Sequence, residues 1–269
     1  RNPGGAPGNV LAILAKLGKK TALISKVGKD QFGEYLISVI KNIGSETMGI
    51  VTTEEANTTL AFVHLDESGD RSFSFYRKPG ADMLLTEKDV NNELVNNTRI
   101  FHFGSVSMTH EPSRSATFHA VKTARNNGAL ISYDPNLRPS LWESMDEAKN
   151  IIDKGLGYAD ILKVSEEELE FITGIADLSE GSEYIREKYG IQLILVTMGA
   201  KGCFYRLGSF TGRLNTYDVK TVDTTGAGDA FTGAFLYKLL ESGKSPAQLD
   251  KTEMEKMIDF ANAAGSLAT

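Results

Sequence analysis

RIFHFGSVSMTHEPSRSATFHAVKTARNNGALISY, residues 99–133, is the stretch whose reading decides the fold. It opens on a short apolar run, Arg99 to Val106, of the length of a buried strand. Ser113 to Asn127 then reads as a helix, and Ala129 to Tyr133 as a second strand. Two strands joined through one helix form a crossover unit. Such a unit lays its strands parallel in one sheet with a right-handed connection.

The same rhythm extends both ways. Downstream, Ile161 to Val164 and Leu193 to Thr197 read as strands, the second after a helix near Ser182 to Lys188. Upstream, Val10, Ile13, Leu14 and Leu17 form a helical stripe that stops at Gly18. Thr21 to Val27 reads as a strand. Asp30 caps a helix with Leu36, Val39, Ile40 and Ile43 on one side. The alternation predicts an α/β fold, an open, mostly parallel sheet flanked by helices. One region breaks it: Thr58 to Leu65 and Arg71 to Tyr76 read as an antiparallel hairpin around the polar turn 66–70. We expect a single domain over 1–269, with this small antiparallel β lid inserted at about 48–80. The sequence starts on a loop, Arg1 to Asn9, and ends in a helix, Phe260 to Thr269. An N-terminal strand and a C-terminal segment are expected to be missing.

Composition narrows the function. The 269 residues are 41% hydrophobic and 24% charged, with a net charge of −6. An acidic balance argues against a nucleic-acid partner. No apolar run approaches the ~20 residues of a membrane span. The single cysteine, Cys203, rules out an internal disulfide and fits a reducing, cytoplasmic setting. It lies in the apolar run 202–205 and reads as a buried structural residue. The four histidines lack metal-ligand spacing, and His102, inside a strand, reads as a core residue.

The chemistry concentrates in Val222-Asp223-Thr224-Thr225-Gly226-Ala227-Gly228-Asp229-Ala230-Phe231. This run follows a β-rich segment, Thr216 to Lys220, and opens a helix with Phe231, Phe235 and Leu239 spaced by four. Its glycines bare a helix N-terminus, which attracts anions through free N–H groups and the dipole. A carboxylate there, Asp229, fits a group that takes a proton from whatever attacks the anion; a buried capping aspartate is the structural alternative. A dinucleotide loop fails because Phe231 stands where its third glycine would be, and a P-loop fails because Lys238 stands where the first glycine before Gly243-Lys244-Ser245 would be. Gly4-Gly5-Ala6-Pro7-Gly8-Asn9 suits close approach to a polyhydroxy ligand, or a turn with Asn9 as helix cap. Tyr133 to Trp142 leaves a strand end, where Arg138 clamps a phosphate or simply lies on the surface. Lys163-Val164-Ser165-Glu166-Glu167-Glu168 reads as dipole compensation, with one glutamate suited to organising hydrated Mg²⁺. Thr197 to Gly202 is a strand-end loop that packs on a nucleotide or forms a hairpin turn.

Taken together these segments resemble the ribokinase-like carbohydrate kinase family over nearly the whole chain. Within it the likeness is closer to the fructokinases, on Phe75 to Leu84, Phe101 to Ser105 and Tyr133 to Trp142. The resemblance implies a ribokinase-like fold and ATP-dependent phosphorylation of D-fructose at its 6-hydroxyl. It implies Asp229 as the general base and the amides of Gly226, Ala227 and Gly228 as an anion hole, with Arg138 on the phosphoryl group. Gly4, Gly5 and Asn9 would hold the sugar, with Tyr76 and Arg77 of the lid. Lys163, Ser165, Glu168, Thr197, Gly199, Lys201 and Gly202 would line the ATP site. Glu168 would act on Mg²⁺ indirectly, although Ser165 stands where the family has asparagine. Asp223 and Thr225 match half of a monovalent-cation loop, which implies K⁺. A homodimer through the lid is a further expectation. A kinase for 2-keto-3-deoxygluconate, with Arg77 on the carboxylate, or for another sugar such as ribose is the nearest alternative; a non-catalytic sugar sensor is more distant.

Overall fold

The computed structural model describes residues 2–65, 71–219, 221 and 224–269. In chain order the elements are α1 (Ala6–Lys16), β1 (Ser25–Gly28), α2 (Gln31–Asn42), β2 (Ile50–Thr53), β3 (Leu60–Leu65), β4 (Arg71–Tyr76), α3 (Asn92–Asn96), β5 (Ile100–Phe103), α4 (Ser113–Asn126), β6 (Leu130–Tyr133), α5 (Met145–Leu156), β7 (Ile161–Ser165), α6 (Glu166–Thr173), α7 (Leu178–Tyr189), β8 (Leu193–Thr197), β9 (Cys203–Leu207), β10 (Phe210–Leu214), α8 (Ala227–Ser242) and α9 (Lys251–Leu267). The main sheet has six strands in the order β10-β9-β8-β7-β6-β5. Strands β5 to β8 run parallel, while β9 and β10 return antiparallel at one edge. The fold is the expected α/β class. The hairpin is present as the antiparallel pair β3 and β4; its turn, 66–70, lies outside the described residues.

Three expectations of extent change. The strand read at 21–27 is shorter: β1 pairs in parallel only with β2, which the sequence reading did not anticipate, and Ala22 makes a single bridge to Glu46. The strand read at 99–106 stops at Phe103. There the Ser105 N–H donates to the Pro135 carbonyl and the chain winds into a 3-10 turn, Val106–Met108. The segment Thr216 to Val219, read as β-rich, forms no strand. Its side chains serve α9 instead: Thr216 Oγ1 lies 2.7 Å from Ser266 Oγ, and the Tyr217 hydroxyl donates to Asp259.

The central strands are apolar on both faces, as a sheet covered by helices requires. Pleating sends alternate residues to opposite sides. Leu162, Val164, Ile194 and Val196 join the core under α4 to α7. Ile161, Leu193 and Leu195 face α8 and α9, with Phe231, Phe235, Leu239 and Ile258. Full burial of a side chain such as Phe235 stabilises by about 1.5–3 kcal/mol. On β7 the same alternation turns Lys163 toward α8.

Helix α8 needs glycine to sit where it does. A Cβ at Gly233 would come within 2.8 Å of the Val10 carbonyl oxygen and of Ile13 Cβ in α1. Its absence lets α1 press against α8, and that approach builds the site.

Candidate active site

The carboxyl ends of β5 to β8 and the N-terminus of α8 meet at one edge of the main sheet, the edge where open α/β sheets bind ligands. Helix α8 begins after Gly226, whose φ of 84° is left-handed and suits glycine. The Ala227 N–H donates to the Thr224 carbonyl at 3.2 Å, so this amide closes the entry turn. Gly228 and Asp229 occupy the next two positions, whose N–H groups have no intrahelical acceptor. With the N-cap Gly226, whose N–H also lacks an intrahelical acceptor, these amides carry the positive helix end.

Asp229 is 8% exposed. Its Oδ2 accepts a hydrogen bond from Asn9 Nδ2 at 2.8 Å, across 220 residues of sequence. Burial raises its pKa to about 6, and the negative charge of Asp134 acts in the same direction. The Asn9 hydrogen bond and the charges of Lys163 and Arg138 oppose the rise. A carboxyl poised near neutrality accepts a proton more readily than an ordinary aspartate.

Asn9 is not a helix cap: Gly5, at φ 111°, caps α1, and the Asn9 side-chain amide donates to Asp229. Gly4 and Gly5 are exposed, and a Cβ at either would meet no atom within 4 Å. Arg138 follows Asn136, which holds a left-handed φ of 47°, and Arg138 Nη1 donates to the neighbouring Leu137 carbonyl.

Beneath α8 lies a buried charge cluster. Lys163 Nζ stands 3.1 Å from Asp134 Oδ2, and both side chains are nearly enclosed. A Cβ at Gly228 would lie 3.2 Å from Lys163 Nζ, so the ammonium sits directly under the first turn of α8. Burial disfavours the Lys163 charge, but Asp134 and then Glu168 more than offset it, and its pKa is raised. Lys163, read from sequence as a nucleotide contact, is thus placed under the helix end.

Glu168 is raised by burial and by Asp134. Its Oε1 accepts from the Leu137 N–H at 2.7 Å and its Oε2 from the Ser165 N–H at 2.9 Å. Ser165 Oγ in turn accepts from the Glu168 N–H, which closes a capping box on α6. Serine caps a helix as well as asparagine does, so the substitution leaves this geometry intact. With both oxygens engaged by backbone amides, Glu168 fits an indirect role toward a cation. Among the described residues no group of three or more His, Cys, Asp or Glu is disposed to hold a metal ion. Asp223 lies outside the described residues; Thr225 is in the turn before α8.

The loop from Thr197 to Gly202 joins β8 to β9 as a tight turn, with Gly199 and Gly202 at positive φ. Thr197 Oγ1 donates to the Val164 carbonyl at 3.3 Å. Lys201 projects with its side chain 77% exposed.

The two hairpin residues separate. Tyr76 is exposed and meets Phe62 edge-on at 5.4 Å between ring centres. Arg77 is buried: Nε donates to Asp82 Oδ2, Nη1 to Thr109 Oγ1, and Nη2 to the Val106 carbonyl. It anchors the base of the hairpin to the core. Sequence reasoning passed over two residues, Asp134 and Gly233. Asp134 directly follows β6 at the ligand edge, a signal that was available. Gly233 gave none, because its partners lie in another helix.

A parallel sheet carrying a hairpin, with a raised carboxyl at a glycine-opened helix end, defines a kinase acting on a small hydroxylated substrate. The chain belongs to the pfkB family carbohydrate kinase group, whose family model matches residues 1–269. It is 45% identical over 266 residues to Fructokinase-1 of Oryza sativa subsp. japonica, covering 98% of this chain and 81% of that protein. The fructokinase of Vibrio cholerae O395, solved with fructose, ADP and calcium ion, superposes with a TM-score of 0.88 at 35% identity, over 99% of this chain and 84% of that one. The fructokinase of Xylella fastidiosa with bound ATP gives a TM-score of 0.91 at 36% identity, over 98% and 84%.

Proposed function

We propose that the chain transfers the γ-phosphoryl group of ATP to the 6-hydroxyl of D-fructose, with Asp229 as general base. The observation that carries this reading is the buried Asp229 carboxyl at the start of α8, held by Asn9 and raised toward neutrality. The hydroxyl oxygen attacks the γ-phosphorus as its proton passes to Asp229. The O–P bond to the sugar forms, and the bond from phosphorus to the bridging oxygen of ADP breaks. General-base help contributes about 10²–10⁴ in rate. The amides of Gly226, Gly228 and Asp229 stabilise charge on the transferred group, and Arg138 adds a cation. Gly4, Gly5 and Asn9 hold the sugar. Thr197, Gly199, Lys201 and Gly202 would line the nucleotide; Mg²⁺, held indirectly by Glu168, would offset phosphate charge. Closure of β3 and β4 over the sugar keeps out competing water. Exposed Phe62, Val63 and Tyr76 on that hairpin support pairing of two copies through the lid.

Fructose is favoured by the relatives, which are named fructokinases, and by the fructose in the Vibrio structure. A sugar-acid substrate is disfavoured by Arg77, whose guanidinium is committed to Asp82, Thr109 and Val106. The test is Asp229→Asn, assayed by ADP release across fructose, 2-keto-3-deoxygluconate and ribose. Wild type turns over fructose best. The variant keeps its fold and fructose affinity and loses at least about 10²-fold in kcat. Near-normal turnover in the variant sinks the base assignment, and a preference for another acceptor sinks fructose.

A further inference from the structure

The ion pair between Lys163 and Asp134 has a geometry that the reaction as proposed does not use. Asp134 is 2% exposed, and apart from Lys163 neither of its carboxylate oxygens has a hydrogen-bond partner among the described residues. An enclosed carboxylate without hydrogen bonds is costly unless a cation compensates it. Lys163 Nζ, 3.1 Å away, is that cation. The same ammonium packs under Gly228, one residue from Asp229.

We propose that Asp134 is a positioning residue that holds Lys163 in a neutral pair beneath α8, so that the ammonium does not neutralise the Asp229 carboxylate. Without Asp134 the ammonium would be left to Glu168 and Asp229, and the added pull on Asp229 would make it a weaker base. Among the described residues, Asn9 from α1, Asp134 and Arg138 from the segment after β6, and Lys163 from β7 act on Asp229, while Glu168 from the start of α6 acts on both Lys163 and Asp134. His102 on β5 also feels Lys163, but burial holds its pKa near 4, so it stays neutral over the relevant range.

The inference rests on Asp229 as the base, and its test separates the two. Full-length enzyme is prepared as wild type, Asp134→Asn, the double variant Lys163→Gln with Asp134→Asn, and Asp229→Asn. Two readouts are taken: the acid limb of kcat/KM against pH with fructose, and the carboxyl carbon of Asp229 titrated by NMR in protein labelled at aspartate Cγ. Asp229→Asn assigns the NMR signal. Asp134→Asn is expected to move both readouts down by about one pH unit, the effect of a nearby cation that has lost its closest anionic partner. The double variant, with both charges removed, is expected to return to within a few tenths of a unit of wild type. Packing damage alone would move neither value in this pattern. Asp134→Ser makes the same charge change if the asparagine variant does not fold. An unmoved Asp229 in Asp134→Asn, or a double variant that tracks the single one, overturns the proposal. If Asp229→Asn remains active, the base assignment falls, while the NMR titration still decides the pair.

Discussion

Burial raises the Asp229 carboxyl to about pKa 6, against an unfolded value of 3.8, and this has a consequence for stability. A raised carboxyl favours the folded state only while it is protonated in that state. Its contribution is fully present below about pH 4 and is lost as pH rises through 6. At pH 7 the folded protein bears an ionised, enclosed carboxylate. Asp229→Asn keeps an acceptor for Asn9 Nδ2 and removes the charge. We expect the variant to be more stable than wild type at pH 7 by on the order of 2–3 kcal/mol. The gain shrinks as pH falls from 6 to 4. Urea unfolding at pH 4, 5.5 and 7 checks this. A pH-independent difference would place the cause in packing, not in the carboxyl.

Among the elements, the contact of α1 with α8 decides the site. Asn9 reaches Asp229 only because Gly233 lets the two helices approach. Gly233→Val inserts carbon where the Val10 carbonyl and Ile13 already stand. Overpacking of this kind costs about 1–3 kcal/mol. The expected outcome is a lower melting temperature together with a kcat/KM for fructose reduced by at least about tenfold, since the Asn9 contact opens. Unchanged kinetics in a destabilised variant would show that the helix approach serves the fold alone. Arg77 belongs to the same scale. Its type suggested an anion contact, but its partners make it the fastening between hairpin and core.

For the molecule as a whole, the proposed lid is the part expected to change state. Among the described residues, strands β3 and β4 pair only with each other, apart from the main sheet. A two-stranded sheet is marginal by itself, so its amides should exchange readily in the free protein. Fructose with a non-hydrolysable ATP analogue is expected to slow hydrogen exchange at residues 60–65 and 71–76 by at least about tenfold, while β7 and β8 change little. Equal protection with and without ligand would remove the lid role.

Much of this architecture is legible in the sequence because it depends on local pattern. The apolar runs at 130–133, 161–165 and 193–197, separated by helices, define the parallel sheet through periodicity. The glycines before Asp229 mark the helix end through backbone chemistry. Local pattern failed where partners are distant. Strand β2, Ile50-Val51-Thr52-Thr53, lacks the apolar run that marks β6 and β8, and residues 216–219 carry strand-forming side chains of which Thr216 and Tyr217 bond to α9 instead. The sequence by itself determined the fold class, the glycine-opened helix end proposed to hold an anion, and the identity of Asp229 as the residue of interest. Only the tertiary structure decided that Asn9 faces Asp229, that Arg77 is a fastening, and that Lys163 and Asp134 lie paired beneath α8. Those facts depend on burial and on contacts across as many as 220 residues, where charge interacts strongly and local sequence carries no record of the neighbour.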